Sequence, residues 1–295
     1  MNLIANGEYK IKINDIFHWI KVEGIEHNTI PLVAIHGGPG GNHYVFEHIA
    51  GAKLSDHRTV IYYEQRGCGR SEKPLSQSDY SYELLIEDFT KILEWCGFKK
   101  VDLLGYSFGG ELALEIVASL PEKINKVITS CPSLIALETQ YLLQIAGFVS
   151  VAEPRLIYEI EQVLAETSSI HTKYKSIWEI VNENTLDKFM FNNINNANIY
   201  RKLMIESGLK NSGHLMAALQ RNPRDIPLYD RLPQITNDIL IITGVYDRNS
   251  GIGISNLIHN NLPKSKWVLF NESAHFPEIE ETDKYVNQIL TFLES

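Results

Sequence analysis

Cysteine is scarce: Cys68, Cys96 and Cys131 are the only three. An odd count with no C-x-x-C or Cys/His spacing builds neither a disulfide framework nor a metal site, and it suits a reducing compartment. Basic charge is short as well, with 27 Lys and Arg against 36 Asp and Glu for a net charge of −9. Such a surface repels phosphate backbones, so nucleic acid is a poor partner. Long apolar runs are missing too. The longest, Tyr141 to Ala152, is interrupted by Gln144 and Ser150 and falls short of the ~20 residues that a bilayer requires. The polar stretch Met1 to Glu8 has no basic segment leading into an apolar one, so no secretory signal is expected. Internal repeats are absent. A cytoplasmic soluble protein with no membrane contact is the expectation.

What is present is ordinary for a folded chain: 44% hydrophobic, 10% aromatic and 21% charged residues over 295 positions. Tyr9 to Ile13 and Ile16 to Val22 read as strands joined by an Asn14-Asp15 turn. Six further short apolar runs follow: Pro31 to Ile35, Thr59 to Tyr63, Val101 to Leu104, Ile124 to Thr129, Ile239 to Thr243 and Trp267 to Phe270. They are continuous rather than alternating, which suits parallel strands covered on both faces. Between them lie helical stripes: Tyr82 to Cys96 stopping at Gly97, Leu112 to Leu120 stopping at Pro121, and Tyr285 to Leu293. The alternation predicts a doubly wound α/β layer with its site at the carboxyl ends of the strands. The rhythm fails between Ser133 and Asn222. That stretch reads as helices broken near Gly147, at Glu153-Pro154 and at an Asn-rich loop from Asn192 to Asn196. The expected organisation is therefore a core of 1–132 and 223–295 with a helical cap, 133–222, inserted into it.

Three loops carry chemistry. Gly105-Tyr106-Ser107-Phe108-Gly109 matches G-x-S-x-G between a strand and a helix, the context in which a sharp turn lifts a serine hydroxyl above the sheet. A serine near neutral pH needs a base, and the base needs an orienting carboxylate. Asp247 follows the strand ending at Thr243, and His275 follows the strand ending at Phe270, 28 residues beyond Asp247. The third loop, His36-Gly37-Gly38-Pro39-Gly40-Gly41, can turn a backbone N–H toward the serine. Gly38 and Phe108 are the expected oxyanion donors. His36 reads as a brace for that loop. No phosphate-binding pattern matches the glycines, and neither a metal nor an organic cofactor is indicated.

His36 to Gly40, Glu64-Gln65-Arg66-Gly67-Cys68-Gly69-Arg70-Ser71 and Gly105 to Gly110 together resemble the proline iminopeptidase branch of the α/β-hydrolase superfamily. The resemblance runs from about Leu32 to Leu120 and again from Ile239 to the end. It implies the α/β-hydrolase fold, a mostly parallel twisted sheet flanked by helices with an inserted helical cap. It also implies a serine aminopeptidase that removes an amino-terminal residue from a short peptide through an acyl-Ser107 intermediate, with His275 as base and then acid.

Such an enzyme must hold a free ammonium group. Glu206, with Glu153 behind it, is the expected carboxylate, although either also reads as an exposed helix glutamate. Arg248 stands next to Asp247. Pointing inward, about 6 Å from a bound ammonium, its guanidinium would oppose binding by roughly 2–3 kcal/mol at an effective dielectric near 20. Such an arginine would suit a carboxylate or polar acyl group instead. The runner-up reading is therefore a carboxylesterase or lactonase acting on a small ester with the same triad. Arg66 and Arg70 read as loop supports, and Cys68 as a bystander.

Overall fold

Asn14 and Asp15 both take positive φ, 48° and 63°. That pairing gives the tight turn whose twist matches a hairpin, and it joins β1 (Gly7–Ile13) to β2 (Ile16–Glu23) in antiparallel register from Ile13–Ile16 to Gly7–Val22. The computed structural model describes residues 4–295; residues 1–3, part of the polar amino-terminal stretch, lie outside them. Six more strands complete one sheet: β3 (Leu32–Ile35), β4 (Val60–Tyr63), β5 (Val101–Tyr106), β6 (Ile124–Ser130), β7 (Asp238–Gly244) and β8 (Ser265–Phe270). Their order is β1-β2-β4-β3-β5-β6-β7-β8. Among the described residues, only β2 runs antiparallel to its neighbours on both sides.

The continuous apolar runs divide between two cores because successive side chains on a strand face opposite ways. Val33, Ile35, Ile239 and Ile241 pack into one cluster with Phe89, Leu112, Ile116 and Ile258 from helices on that side. Leu32, Ala34, Leu240 and Ile242 pack into the other, against Leu54, Tyr285, Ile289 and Phe292. Each fully buried aliphatic contributes roughly 1.5–3 kcal/mol of apolar transfer. At the sheet edge β8 departs from the expectation of two covered faces: Leu269 is 40% exposed.

The helix at Tyr82–Cys96 starts where the Ser81 side chain accepts from Leu84 N–H and stops at Gly97 in the left-handed region. The next helix, Phe108–Ser119, begins four residues before the apolar stripe at Leu112. Between β6 and β7 lie six helices of eight residues or more: Glu138–Val151, Pro154–Ala165, Ile170–Ile180, Glu183–Met190, Ile194–Ser207 and His214–Arg221. Four of them share an apolar cluster centred on Phe148, Ile160, Ile177 and Phe189. Pro154 opens a helix, as its position suggested. Gly147 breaks nothing. It lies inside a helix, and a Cβ there would meet Arg248 O at 2.6 Å and the Phe189 ring at 2.9 Å. Close approach, not chain reversal, requires that glycine. The Asn-rich run is also shorter as a loop than expected: Asn193 accepts from Asn195 N–H and caps a helix that takes in Asn195 and Asn196. Among the described residues no helix is long and apolar enough to cross a membrane.

Candidate active site

β3 is flanked by β4 on one side and β5 on the other, so the chain leaves it in one direction and returns in the opposite one. Such a reversal opens a crevice at the carboxyl ends of the two strands. The glycine loop after β3 and the serine turn after β5 both end there. Ser107 sits at φ 56° and ψ −125°, a strained conformation costing about 1–3 kcal/mol that the turn must over-determine. Its N–H donates to Ser130 O at 2.8 Å, and its carbonyl accepts from Gly110 N–H at 2.9 Å and from Ser133 N–H at 3.3 Å. A side chain at Gly105 would collide with Gly109 O, and one at Gly109 with Ile35 O. The turn can close only with glycine at both places.

His275 Nε2 lies 3.0 Å from Ser107 Oγ, and His275 Nδ1 lies 3.0 Å from Asp247 Oδ1. The carboxylate accepts the Nδ1 proton, which leaves Nε2 free to accept from the hydroxyl. Asp247 is buried and well supplied with donors. Oδ1 also accepts from Asn249 N–H at 2.9 Å, and Oδ2 accepts from Ser250 Oγ at 2.9 Å and Gly251 N–H at 3.0 Å. Burial alone would raise its carboxyl, but His275 and these N–H groups outweigh it and hold the group down to about 2. Cys131 stands within 4.8 Å of both. Burial pushes its thiol well up, and the Asp247 oxygens are already engaged, so the trio is a poor set of cation ligands.

The glycine loop is braced from beneath. His36 is fully buried, and burial lowers its affinity for a proton. Its Nε2 accepts from Gln65 N–H at 3.0 Å, which assigns the proton to Nδ1, 2.9 Å from Gly37 O. Gln65 Nε2 returns a bond to His36 O at 2.9 Å. Neither Gly38 N–H nor Phe108 N–H donates to a backbone acceptor among the described residues, and Gly38 lines the same cavity as Ser107. Arg66 is forked onto Asp88 at 2.6 and 2.7 Å, and Arg70 reaches Glu64 at 2.7 Å and Glu47 at 3.0 Å. Both arginines are committed to protein carboxylates. Cys68 is buried, and its thiol, raised by burial, donates to Arg66 O.

Two cavities meet at Ser107. One, about 290 Å³, is walled by Val45, Tyr106, Tyr200, Met204, Phe276 and Ile279. The other, about 350 Å³, has Gln140, Gln144 and Gln220 on its wall. Trp178, Asn211 and Asn249 border both. Of the aromatics in the helical segment, Phe148 and Phe189 instead stack on each other 4.1 Å apart within its own core.

The three residues expected to face the substrate line neither cavity. Tyr200 and Met204 turn one face of their helix inward, and Glu206, about 200° around from Met204, points outward near Lys202. Glu153 is exposed and pairs with Asn184. Arg248 donates to Lys188 O at 3.0 Å and to Tyr246 O at 3.1 Å, two carbonyls that hold it away from the serine.

Two residues that the sequence reading passed over are at the centre. Asn249 Nδ2 stands 3.1 Å from His275 Nε2, while its Oδ1 accepts from Gln144, whose own oxygen accepts from Trp178 Nε1. A hydrogen-bonded chain thus runs from two of the inserted helices to Asn249, which stands beside the imidazole nitrogen that faces Ser107. Glu278, three residues past His275, is 3% exposed and lines the smaller cavity. Asn249 had a readable signal, two positions after the candidate acid. Glu278 looked like any first-turn acid following a proline.

Comparison with known proteins agrees with this architecture. The family model for the alpha/beta hydrolase fold matches residues 30–171. A proline iminopeptidase of Saccharolobus solfataricus is 28% identical over 302 residues, covering 96% of this chain and 89% of that protein. The proline iminopeptidase of Lactobacillus acidophilus is 25% identical over 289 residues, covering 93% and 94%. A proline iminopeptidase-related protein of Thermus thermophilus superposes with a TM-score of 0.79 at 19% identity, over 97% of this chain and 96% of that one.

Proposed function

We propose that this chain, which has the α/β-hydrolase fold and is similar along most of its length to proline iminopeptidases, is a serine aminopeptidase. It releases the amino-terminal residue of a short peptide. The observation that carries the reading is the pair of 3.0 Å contacts from Ser107 through His275 to Asp247. In this mechanism His275 Nε2 takes the Ser107 proton as Oγ attacks the scissile carbonyl. Asp247 stabilises the imidazolium that forms, and its burial shields that charge pair from water. Gly38 N–H and Phe108 N–H receive the oxyanion, each donor contributing about 2.7–4 kcal/mol to the transition state. The imidazolium then protonates the departing amine. Water, deprotonated by His275, cleaves the acyl-Ser107 ester and releases the residue.

Residues 133–222 act in this reading as a cap over a core of 1–132 and 223–295. The outward course of Arg248 removes the repulsion that would have opposed a bound ammonium. The smaller cavity, near the low end of the ~300–1,000 Å³ typical of ligand pockets, suits one residue on the acyl side. The test compares prolyl and alanyl anilides having a free amine with their amine-blocked forms and with simple aryl esters. Turnover of the free-amine anilides, abolished in Ser107→Ala, is expected. Turnover confined to the esters would make the protein a carboxylesterase instead.

A further inference from the structure

A buried carboxyl group ordinarily finds a cation or a set of donors, because desolvation penalises an ionised oxygen left alone. Asp247, Glu64, Glu111 and Glu115 all obey this, each engaged by N–H, O–H or guanidinium groups. Glu278 does not. Its Oε2 is shielded from solvent and has no hydrogen-bond partner among the described residues. Tyr106, Tyr200, Phe276 and Ile279 wall the cavity on its apolar side, and His275, Asn42, Asn211 and Asn249 are among its polar lining, so among the described residues no lysine or arginine lines it. Burial, outweighing a bond from its own backbone N–H and the attraction of His275, and helped by the negative charges of Glu280 and Asp247, pushes the carboxyl up to about 7.

The position is not loose. Glu280, two residues on, accepts from Asn192 N–H and Asn193 N–H at 2.9 Å each and from Ala274 N–H at 2.6 Å, which ties this turn to both the histidine loop and the cap. Phe276 stacks on Phe191 at 4.9 Å and on Tyr200 at 5.1 Å. The carboxyl is therefore held in place without being satisfied in place. In a peptide the free amine is two bonds from the scissile carbonyl carbon, about 2.5 Å by standard bond lengths. Whatever receives the amine must share the nucleophile's cavity, and Glu278 does.

Resting on the aminopeptidase reading, we propose that Glu278 is the specificity-determining residue that binds the substrate's free amino group. The ammonium enters as the cation that the site lacks, against the ionised carboxylate, and any proton held by the carboxyl leaves to solvent. The apolar walls then select a small aliphatic or pyrrolidine side chain on that residue.

The experiment measures kcat and KM of wild type, Glu278→Gln and Glu278→Asp on alanyl and prolyl anilides and on an aryl propionate, which has no amine. A charge-assisted bond of this kind predicts that Glu278→Gln loses about 10- to 100-fold in kcat/KM on the anilides, mostly through KM. Its ester hydrolysis should stay within about threefold of wild type, and Glu278→Asp should recover part of the anilide loss. Equal losses on both substrates, or none on either, would overturn the role of Glu278 while leaving the aminopeptidase reading standing. A wild-type enzyme that cleaves the ester and no anilide would overturn both.

Discussion

The buried carboxyl of Glu278, whose Oε2 has no partner among the described residues, has a thermodynamic signature independent of turnover. An ordinary glutamate titrates near 4.5 in the unfolded chain, and burial raises this one to about 7 in the folded protein. Between those values the folded state holds more protons than the unfolded state, so stability falls as pH rises through the interval. With about 1.4 kcal/mol per unit, the penalty that accumulates from pH 5 to pH 8 is on the order of 2–3 kcal/mol. Glu111, raised to about 7 by burial in the same direction, contributes a similar slope of its own. The wild type minus Glu278→Gln difference cancels that background. Urea unfolding followed by the fluorescence of the four tryptophans, at pH 5, 6, 7 and 8, gives the slope for each protein. An amide in an apolar cavity carries its own desolvation cost, but that cost does not change with pH. Glu278→Gln should gain about 2–3 kcal/mol on wild type across the range. Parallel curves would refute the claim that the carboxyl is buried without a cation.

Three further outcomes follow from the geometry. Asp247→Asn should keep the fold by circular dichroism and lose about four orders of magnitude in kcat, because the amide no longer fixes the Nδ1–H tautomer of His275. The same carboxyl, held down to about 2, stabilises the fold above its ordinary range; that contribution should fade as pH falls toward 2, and fade less in Asp247→Asn. Gly147→Ala places a Cβ 2.6 Å from Arg248 O, so it should destabilise by about 1–3 kcal/mol in urea and lower kcat by shifting the Asp247 loop.

Much of the fold was readable because its signals are local. Asn14-Asp15 marks the hairpin, Gly97 ends a helix, and the continuous apolar runs at β3 to β7 reflect cover on both faces. The serine turn was equally local, and the loops holding Asp247 and His275 followed from their position after later strands. What escaped depends on neighbours distant in sequence. Gly147 looks like a helix breaker, yet the approach of the Arg248 backbone requires it. The charge of Glu206 suits an ammonium, while the phase of its helix is set by Tyr200 and Met204 packing at the cavity. Arg248 finds its carbonyl partner at Lys188, 60 residues away. Glu278 differs from an exposed first-turn glutamate only through the aromatic walls that fold around it.

The central claim is that Ser107 becomes acylated, and covalent capture tests it most directly. The protein is incubated with an alkyl fluorophosphonate, and intact-mass and peptide mass spectrometry locate the adduct. One phosphonyl group per chain on the Ser107 peptide is expected, with labelling abolished in Ser107→Ala and strongly slowed in His275→Ala. A wild-type protein that cleaves anilides yet carries no adduct on Ser107, or a Ser107→Ala variant that retains full turnover, would contradict it.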